Sequence, residues 1–313
     1  MKACIIGAGV TGLSLLLLLT KAGIDPAEIA IIDPHFQGGD LGFRWGDVQS
    51  NTPWSKTVDT LNQILGLELP TSNKTTKLSE ISDLILSLTA AIPVKRIGGF
   101  VTKIEKGQNW KITYYTDSSR VITCKALFAC QGSDQKIMSH PIPCIPLECA
   151  LDSRLSRYIS PGDKVTVFGT MHSGTLVIQN LHDLSASITA VYRSEKPFIW
   201  DRDGAYDGIR EESAAIADKI MAGEIPVKLI RASGEMLGLD SKWIIYAMGF
   251  EPRVIPGLPT TYDGRTGALA TDAWGFGIAY PSAAPDGVHW DVSVAAFLNH
   301  MKAQLPSILQ TLS

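Results

Sequence analysis

The chain has 313 residues, of which 45% are hydrophobic and 19% are charged, and its formal net charge is −3. This composition is that of a globular protein with one large domain or two intertwined ones, and it gives no reason to expect nucleic acid or an acidic membrane as a partner. Five cysteines without a Cys-x-x-Cys pair argue against a disulfide framework, a zinc site and a dithiol redox centre.

The N-terminal segment "MKACIIGAGVTGLSLLLLLTKAG" shares features with a secretory signal: an early lysine, an apolar stretch and small residues at its end. Against that interpretation, glycines interrupt the apolar run at a meaningful spacing, and the segment supplies a strand that the fold needs. No other segment has the roughly 18 uninterrupted apolar residues of a membrane span. We therefore expect a cytoplasmic protein.

The first elements along the chain form a β-α-β unit. "KACIIGAG" predicts a buried strand and a turn, "VTGLSLLLLLTKAG" a helix ending near Gly23, and "EIAIIDPH" a second strand ending at Asp33. Residues 36–56 are rich in glycine and aromatics and predict a long irregular loop, which in compact domains is often functional. Helices are expected at about 57–66 and 78–91.

Between about 94 and 130 the pattern changes to short alternating runs, which predict a small antiparallel meander. A second strand-turn-helix follows at 164–184, and "SASITAVYRS" supplies the strand that completes a second β-α-β unit. A helix near 209–222, strands near 226–230 and 243–247, and a last helix at 291–304 complete the predicted elements.

The turn after the first strand carries a complete G-x-G-x-x-G motif at Gly7, Gly9 and Gly12. In this motif the first glycine makes the tight turn, the second lets a pyrophosphate approach, and the third lets helix and strand pack closely. Asp33, at the end of the second strand, stands where an acid can hydrogen-bond a ribose hydroxyl. The sequence therefore predicts a dinucleotide site here.

Two later segments, "LFACQGSDQ" and "WIIYAMGFEPR", resemble short motifs of the two-dinucleotide-binding-domain flavoproteins, which include thioredoxin reductases and flavin-containing monooxygenases. The matching residues are Ala129, Gly132, Ala247, Gly249 and Pro252. The resemblance covers nearly the whole chain by the order of its motifs. It implies FAD at the N-terminal motif and NAD(P)H in a second, inserted domain.

The strand-turn-helix "KVTVFGTMHSGTLVIQNL" falls where the nicotinamide-nucleotide motif of that plan is expected. Gly169 and Gly174 keep the first and third glycine positions, whereas Met171 crowds the middle one. Ser173 and His172 can hydrogen-bond a phosphate, although His172 is equally a surface residue at a helix start. Arg193 can pair with the 2′-phosphate of NADP, or it is a solvated arginine after a strand. We interpret this stretch as a degenerate NADPH site.

The segment "GDVQSNTPWSK" is similar to the flavin-side segment of the flavin-containing monooxygenases, and this resemblance implies that Asn51 lies beside the reactive flavin as a weak catalytic candidate. Ordinary turn chemistry is the alternative. The C-terminal segment "GFGIAYPSAAPDGVHWDVSVAAFLNHM" departs from the usual Gly-Asp ending, and a Phe-x-Gly-x-x-x-His fingerprint is not found. Here Asp291 is expected to cap the last helix or contact the cofactor, and Trp290 to cover the flavin.

The predicted fold class is α/β, with two Rossmann-like three-layer domains, the second inserted into the first, and a small antiparallel meander. We place the FAD-binding domain at 1–150 and 246–313 and the NAD(P)H-binding domain at 151–245. The expected cofactors are FAD and NADPH, with no metal, and the expected partner is a small-molecule substrate. The sequence leaves the oligomeric state open, a homodimer being the commonest symmetric assembly.

The leading functional hypothesis is an FAD-dependent oxidoreductase reduced by NADPH, similar to the flavin monooxygenases and acting on a small organic substrate. A second hypothesis is a reductase or dehydrogenase that passes electrons to a carrier protein or organic acceptor without oxygen. A third, of another class, is a non-catalytic flavin-binding redox sensor, which Met171 and the altered C-terminal segment favour.

Overall fold

The computed structural model describes residues 1–198, 206, 208–232, 240–284 and 290–313. The chain divides into two compact units: the first unit contains Met1–Gly46, Pro53–Asp134 and Glu251–Ser313, and the second contains Asp47–Thr52 and Gln135–Phe250. The main part of the second unit is therefore an insertion between two parts of the first. The range 151–245, expected from the sequence for the inserted domain, falls inside the second unit.

The secondary-structure elements alternate in the manner of an α/β protein. The strands, in chain order, are β1 Ala3–Ile6, β2 Ile29–Asp33, β3 Gln49–Pro53, β4 Thr75–Lys77, β5 Lys95–Gly98, β6 Phe100–Lys106, β7 Trp110–Tyr115, β8 Ser119–Cys124, β9 Ala126–Ala129, β10 Ser133–Gln135, β11 Lys164–Phe168, β12 Ser187–Tyr192, β13 Val227–Arg231, β14 Trp243–Tyr246, β15 Phe250–Pro252, β16 Ala268–Ala270, β17 Ala273–Gly275, β18 Ser282–Ala283 and β19 Trp290–Asp291. The α-helices are α1 Val10–Lys21, α2 Gly39–Phe43, α3 Trp54–Leu65, α4 Leu78–Thr89, α5 Leu147–Ala150, α6 His172–Asp183, α7 Glu211–Met221 and α8 Val294–Leu312.

The first unit is built on a sheet of order β16-β17-β9-β1-β2-β5, in which only β16 runs antiparallel to its neighbour. Successive side chains of a strand point to opposite faces, and β1 is buried on both. Ile5 packs in the cluster that includes helices α1, α4 and α8, while Ile6 packs in the cluster formed with the meander β6-β7-β8. The predicted α/β fold class, with its antiparallel meander, is confirmed.

Helix α1 is nearly all apolar because it is covered on most sides, and its end is fixed by local hydrogen bonds. After Ala22 the chain turns at Gly23, whose φ is +90°. The Gly23 N–H donates to the carbonyl of Thr20, and the Ile24 N–H donates to that of Leu19. This is a Schellman motif, which explains why the helix ends where the sequence predicts.

The second unit contains a fully parallel sheet of order β13-β12-β11-β14. Strand β11 lies between β12 and β14, and Val165 and Val167 on it are fully buried. Helix α6 follows β11 directly, and α6 packs against α7. In each unit, an interior strand of the main sheet is therefore followed by a short turn and a helix.

The long loop expected at 36–56 is only partly irregular. It contains the short helix α2 and the strand β3, and helix α3 already begins at Trp54 rather than at 57. These elements are too short, or too polar in their first turn, to produce a clear hydrophobic period. The last helix also differs from expectation, since it runs to Leu312. Within the described ranges, no helix combines the length and apolarity that a bilayer crossing requires.

Candidate functional site

The glycine turn between β1 and α1 has the conformation that its motif predicts. Gly7 has a φ of +98°, and a Cβ at this position would lie 2.2 Å from the carbonyl oxygen of Cys130. A Cβ on Gly12 would lie 1.9 Å from the carbonyl oxygen of Gly7. Both positions therefore exclude any side chain. Gly9 is the N-cap of α1 and forms an isolated parallel bridge with Gly38.

The N-terminus of α1 is suited to bind an anion. No side chain caps the helix, and its first turn contains no acidic residue. The first N–H groups of a helix have no intrahelical acceptor, and the helix dipole adds a partial positive charge at this end. A diphosphate placed at the Gly9 turn would find both hydrogen-bond donors and a favourable potential.

Asp33 joins this turn to the segment that follows β2. Its side chain is buried, with 7% of its surface exposed. Oδ2 accepts a hydrogen bond from the Ala8 N–H at 2.8 Å, and Oδ1 accepts from the N–H groups of His35 and Phe36 at 2.8 Å each. An ionised carboxylate offers about four acceptor sites. Oδ2 therefore retains capacity for one ribose hydroxyl, which is the predicted role of Asp33.

Gly132 follows β9, and its φ of +74° is left-handed. Beside it lies an ion-pair network that sequence reasoning missed. The Arg253 guanidinium donates to Asp40 at 2.6 Å, to Asp134 at 2.9 Å and to the carbonyl oxygen of Gln131 at 3.0 Å. Burial lowers the pKa of Arg253, but the two carboxylates raise it to above its ordinary value. Arg253 and Asp40 are separated by 213 residues, so no local pattern could reveal the contact.

The turn between β11 and α6 repeats the backbone of the first turn. Gly169 has a φ of +105°, and a Cβ on it would lie 2.2 Å from the carbonyl oxygen of Ala247. A Cβ on Gly174 would lie 2.1 Å from the carbonyl oxygen of Gly169. The middle position differs: Met171 is the N-cap of α6, and its Cε lies 3.0 Å from the position that a Cβ on Gly208 would occupy. Here a side chain stands where the first motif has none.

His172 does not present a free nitrogen to a phosphate. Its Nε2 donates to the carbonyl oxygen of Gln49 at 2.8 Å, and its Nδ1 lies 3.1 Å from the Ser213 hydroxyl. Burial lowers the pKa of His172, and the Gln49 carbonyl opposes this only in part. Both ring nitrogens therefore have partners inside the second unit, which corrects the expectation that His172 is free to contact a phosphate. For the Ser173 hydroxyl, no hydrogen-bond partner is found among the described residues.

Arg193 follows β12 directly and is exposed. Within the described part of the chain it forms no ion pair. An unpaired guanidinium after the second strand of a β-α-β unit is available to a 2′-phosphate, as the sequence predicts. Gly249, the other predicted glycine of this region, has a φ of +84° and stands at the end of the second unit.

Asn51 belongs to the 47–52 segment of the second unit. Its side-chain amide donates to the carbonyl oxygen of Gly208 at 2.9 Å, and its Oδ1 accepts from the Thr52 hydroxyl at 3.4 Å. The structure thus groups Asn51 with Gly208, in the same unit as the second glycine turn. Its implied place beside a flavin stays a prediction.

Of the predictions for Trp290 and Asp291, the structure answers the one about the cap of the last helix. Ser293, not Asp291, caps α8, because its hydroxyl accepts from the Ala296 N–H at 3.2 Å. Trp290 and Asp291 form β19, which pairs with β18. The Trp290 ring is 54% exposed and packs over Gly264, so covering a flavin is still a prediction for it. Residues 285–289 of this segment lie outside the described residues.

The five cysteines are free thiols. Cys4 and Cys124 are neighbours in space, a proximity that their separation in sequence conceals. Both are buried in the core of the first unit. The hydrogen bond with Cys124 and burial raise the pKa of the Cys4 thiol well above its ordinary value. A buried thiol that resists ionisation is a poor redox nucleophile.

No protein-family model matches this chain. The monooxygenase AgnR1 of Paecilomyces divaricatus is 29% identical over 219 residues, a match that spans 59% of this chain and 56% of that relative. The match thus covers little more than half of the relative's length.

Solved structures match over almost the whole chain. A flavin-containing monooxygenase from Stenotrophomonas maltophilia has a TM-score of 0.72 and 15% identity, covering 100% of this chain and 99% of that one. A bacillithiol disulfide reductase from Staphylococcus aureus has a TM-score of 0.69 and 13% identity, with coverages of 99% and 98%. A thioredoxin reductase from Lactococcus lactis has a TM-score of 0.63, 13% identity and the same coverages.

These neighbours confirm the resemblance at the level of the fold: the chain has the fold of the two-dinucleotide-binding-domain flavoproteins, among which are oxidoreductases. One of these neighbours is named for the flavin that it contains, which agrees with the FAD expected from the sequence.

Proposed function

We propose that this chain, folded as a two-dinucleotide-binding-domain flavoprotein, is an FAD-dependent oxidoreductase that NADPH reduces and that oxygenates a small organic substrate. In this proposal the first unit holds FAD at Gly7–Gly12 and Asp33, and the second unit holds NADPH at the turn that begins with Gly169.

The observation that carries the proposal is the glycine turn of the first unit. The overlaps that a Cβ would create at Gly7 and Gly12 leave room only for glycine. The uncapped start of α1 offers N–H groups to a diphosphate, and Asp33 Oδ2 can still accept from a ribose hydroxyl. A complete dinucleotide cradle fits this geometry.

In the second unit, different groups would bind the diphosphate and the 2′-phosphate of NADPH. The α6 N-terminus, which no side chain caps, and the Ser173 hydroxyl would contact the diphosphate. Arg193 would pair with the 2′-phosphate and distinguish NADPH from NADH. When bound, FAD supplies the redox chemistry by accepting a hydride and passing its electrons on. The protein controls orientation and the access of water.

Disulfide reduction is the activity that the cysteines argue against. A dithiol reductase needs a reactive cysteine pair, and the spatial pair Cys4–Cys124 is buried with a raised thiol pKa at Cys4. The oxygenase proposal is further supported by the sequence similarity to a monooxygenase and by the similarity of the Asn51 segment to flavin-side segments.

One observation favours a second candidate function. Met171 occupies the middle position of the second turn, where a pyrophosphate would pass, and its Cε lies 3.0 Å from the position that a Cβ on Gly208 would occupy. If the second unit does not bind NADPH productively, another electron donor would reduce the flavin. Alternatively, the protein would be a redox sensor that does not turn over a substrate.

The test uses full-length protein loaded with FAD and freed of excess flavin. Oxygen consumption is measured with NADPH alone and with added amines, sulfides or ketones, and the Gly9→Met variant serves as the control for flavin loading. We expect NADPH-dependent oxygen consumption that rises when an acceptable substrate is present. Reduction of the flavin by NADPH without consumption of oxygen would instead support the oxygen-independent reductase. A protein that retains no FAD would overturn the proposal.

A further inference from the structure

A cavity of about 440 Å³ lies in the first unit, along one side of helix α8, and we call it the α8 cavity. Its wall combines glycine and alanine residues with six polar ones: Arg265, Ser282, Asp291, Asn299, His300 and Gln304. None of the described residues that line it belongs to the glycine turn at 7–12, and Asp33 is not among them. A volume of this size is typical of sites for small organic molecules.

Hydrogen bonds join the three segments that form the α8 cavity. The Gln304 side-chain amide, on α8, donates to the carbonyl oxygen of Arg265 at 3.1 Å. The Ala283 N–H, on β18, donates to the carbonyl oxygen of Gly264 at 2.9 Å, and β18 pairs with β19. The wall is therefore built from α8, the 264–265 segment and the strands β18 and β19, which are fixed to one another.

Two opposite charges line the α8 cavity without pairing with each other. Arg265 and Asp291 form no ion pair within the part of the chain that the structure describes. The Arg265 backbone is bonded to Gln304, whereas the Asp291 side chain accepts from the hydroxyl of Ser293, the N-cap of α8, at 3.5 Å. The two residues are thus attached at opposite ends of the lining stretch of α8. From Ala296 to Gln304 that stretch spans about 12 Å at 1.5 Å per residue.

His300 lies between these two ends, one helical turn from Ala296 and one from Gln304. It is 7% exposed, and its Nε2 is buried without a hydrogen-bond partner among the described residues. Burial lowers the pKa of His300, and the Arg265 carbonyl and Asp263 oppose this only in part. A neutral imidazole can present Nε2 as an acceptor, and buried polar atoms in folded proteins are rarely left unpaired. A donor on a bound molecule would satisfy this nitrogen.

We propose that the α8 cavity binds a linear ω-amino acid, a small molecule with a carboxylate at one end and an ammonium at the other. The carboxylate pairs with Arg265, and the ammonium, which has three N–H donors, donates to Asp291 and to His300 Nε2. A ligand with a single charge would leave Arg265 or Asp291 unpaired. In this assignment Asp291 binds this ligand and not the dinucleotide. The inference goes beyond the proposed function and does not depend on it.

Calorimetric titration of the full-length protein tests this assignment. The probes are 4-aminobutanoate and 6-aminohexanoate, with hexanoate and hexylamine as analogues that carry one charge each. The variants are Arg265→Gln, the conservative Arg265→Lys, Asp291→Asn and His300→Leu, and urea midpoints confirm that each folds. The matched control is Lys302→Gln, because Lys302 is an exposed cation of α8 that does not line the cavity. Each titration of the wild type is repeated with excess FAD.

We expect at least one ω-amino acid to bind the wild type with a dissociation constant of about 1 mM or lower, with or without FAD. Arg265→Gln, Asp291→Asn and His300→Leu should each weaken this binding by about tenfold, because each removes a hydrogen bond to a charged group. Arg265→Lys should restore part of the affinity, and Lys302→Gln should bind as the wild type does.

Three results would overturn the assignment. The first is that neither ω-amino acid binds, or that hexanoate or hexylamine binds as tightly as 6-aminohexanoate. The second is an unchanged affinity in Arg265→Gln, Asp291→Asn or His300→Leu. The third is a loss of binding when FAD is added, which would show that the cavity belongs to the dinucleotide site.

Discussion

The two glycine turns of this protein have the same backbone but differ at one position. In both, the first glycine has a strongly positive φ, +98° at Gly7 and +105° at Gly169, and the third cannot accept a Cβ. The middle residues also agree, with a φ of −74° at Gly9 and −79° at Met171. This conformation is open to any residue. The middle glycine is therefore not needed to form the turn.

The residue at the middle position affects which groups can approach the turn. At Gly9 the backbone of Gly38 and Gly39 lies close, and a Cβ would stand 3.5 Å from the Gly39 Cα. At the second turn this position has the Met171 side chain, whose Cε lies 3.0 Å from the position that a Cβ on Gly208 would occupy. Two roles are thus separated within one motif: the outer glycines determine the fold of the turn, and we expect the middle residue to determine the access of a ligand.

The largest expected effect comes from the outer glycines. Gly7→Ala and Gly169→Ala should each lower the free energy of unfolding by about 3 kcal/mol or more, because a positive φ and an overlap with a carbonyl oxygen act together. Gly23→Ala and Gly162→Ala are matched controls: both have a positive φ but open space around a Cβ, so about 1–2 kcal/mol is expected. Urea unfolding measures all four. Equal losses in variants and controls would show that the overlaps are unimportant.

Substitutions at the middle positions, Gly9 and Met171, should change the affinity for the ligand and leave the fold intact. Gly9→Met should weaken FAD binding by about a hundredfold, because a side chain enters the path of the diphosphate. Met171→Gly should tighten NADPH binding by about tenfold for the opposite reason. Flavin retention and equilibrium titration with NADPH are the measurements. If Met171→Gly bound NADPH no better than the wild type, crowding at this position would not limit the second site.

A smaller effect is expected at Arg193, which follows the second strand of its β-α-β unit, whereas Asp33 ends the second strand of the first unit. Arg193→Ala should raise the dissociation constant of NADPH by about tenfold and leave that of NADH unchanged, since a charge-assisted hydrogen bond contributes about 1.5–3 kcal/mol. Lys196→Ala, a nearby exposed cation, is the control. A parallel loss of NADH affinity would argue against a 2′-phosphate contact.

The smallest effect concerns His172, whose ring links Gln49 to Ser213 in the second unit. Burial holds its pKa below the ordinary 6.5, so the unfolded chain takes up a proton before the folded protein does. The stability from this group is therefore fully present above the ordinary pKa and is lost as the pH falls through 6.5 toward the lower pKa of the folded protein. Unfolding in urea at several pH values should show a shallower fall in His172→Gln, where, among the described histidines, His300 still has a pKa lowered by burial. An unaltered pH dependence in the variant would contradict this role.

The sequence predicted the features that depend on local pattern. Glycine spacing after an apolar run specifies the turn conformation at Gly7 and Gly169, and both strands before these turns lie at the centre of parallel sheets. The helix end at Gly23 was equally local, because its hydrogen bonds join residues within one turn.

Features that depend on distant contacts could not be predicted. The partners of His172 lie 123 and 41 residues away, and only the tertiary fold brings them to the ring. Arg253 and Asp40 meet across 213 residues. At α8, two acceptable caps stand close together in sequence, and only the hydrogen bond from the Ala296 N–H to the Ser293 hydroxyl shows which of them is used. The buried pair Cys4–Cys124 could not be predicted either, because its members are far apart in sequence.

We propose above all that this chain binds both FAD and NADPH and that NADPH reduces the bound flavin. An anaerobic titration of FAD-loaded protein with NADPH, followed by visible absorbance, tests it most directly. We predict that the flavin band disappears in proportion to the NADPH added and returns when oxygen is admitted. A band that dithionite removes but NADPH leaves untouched would contradict the claim and assign the second unit another role.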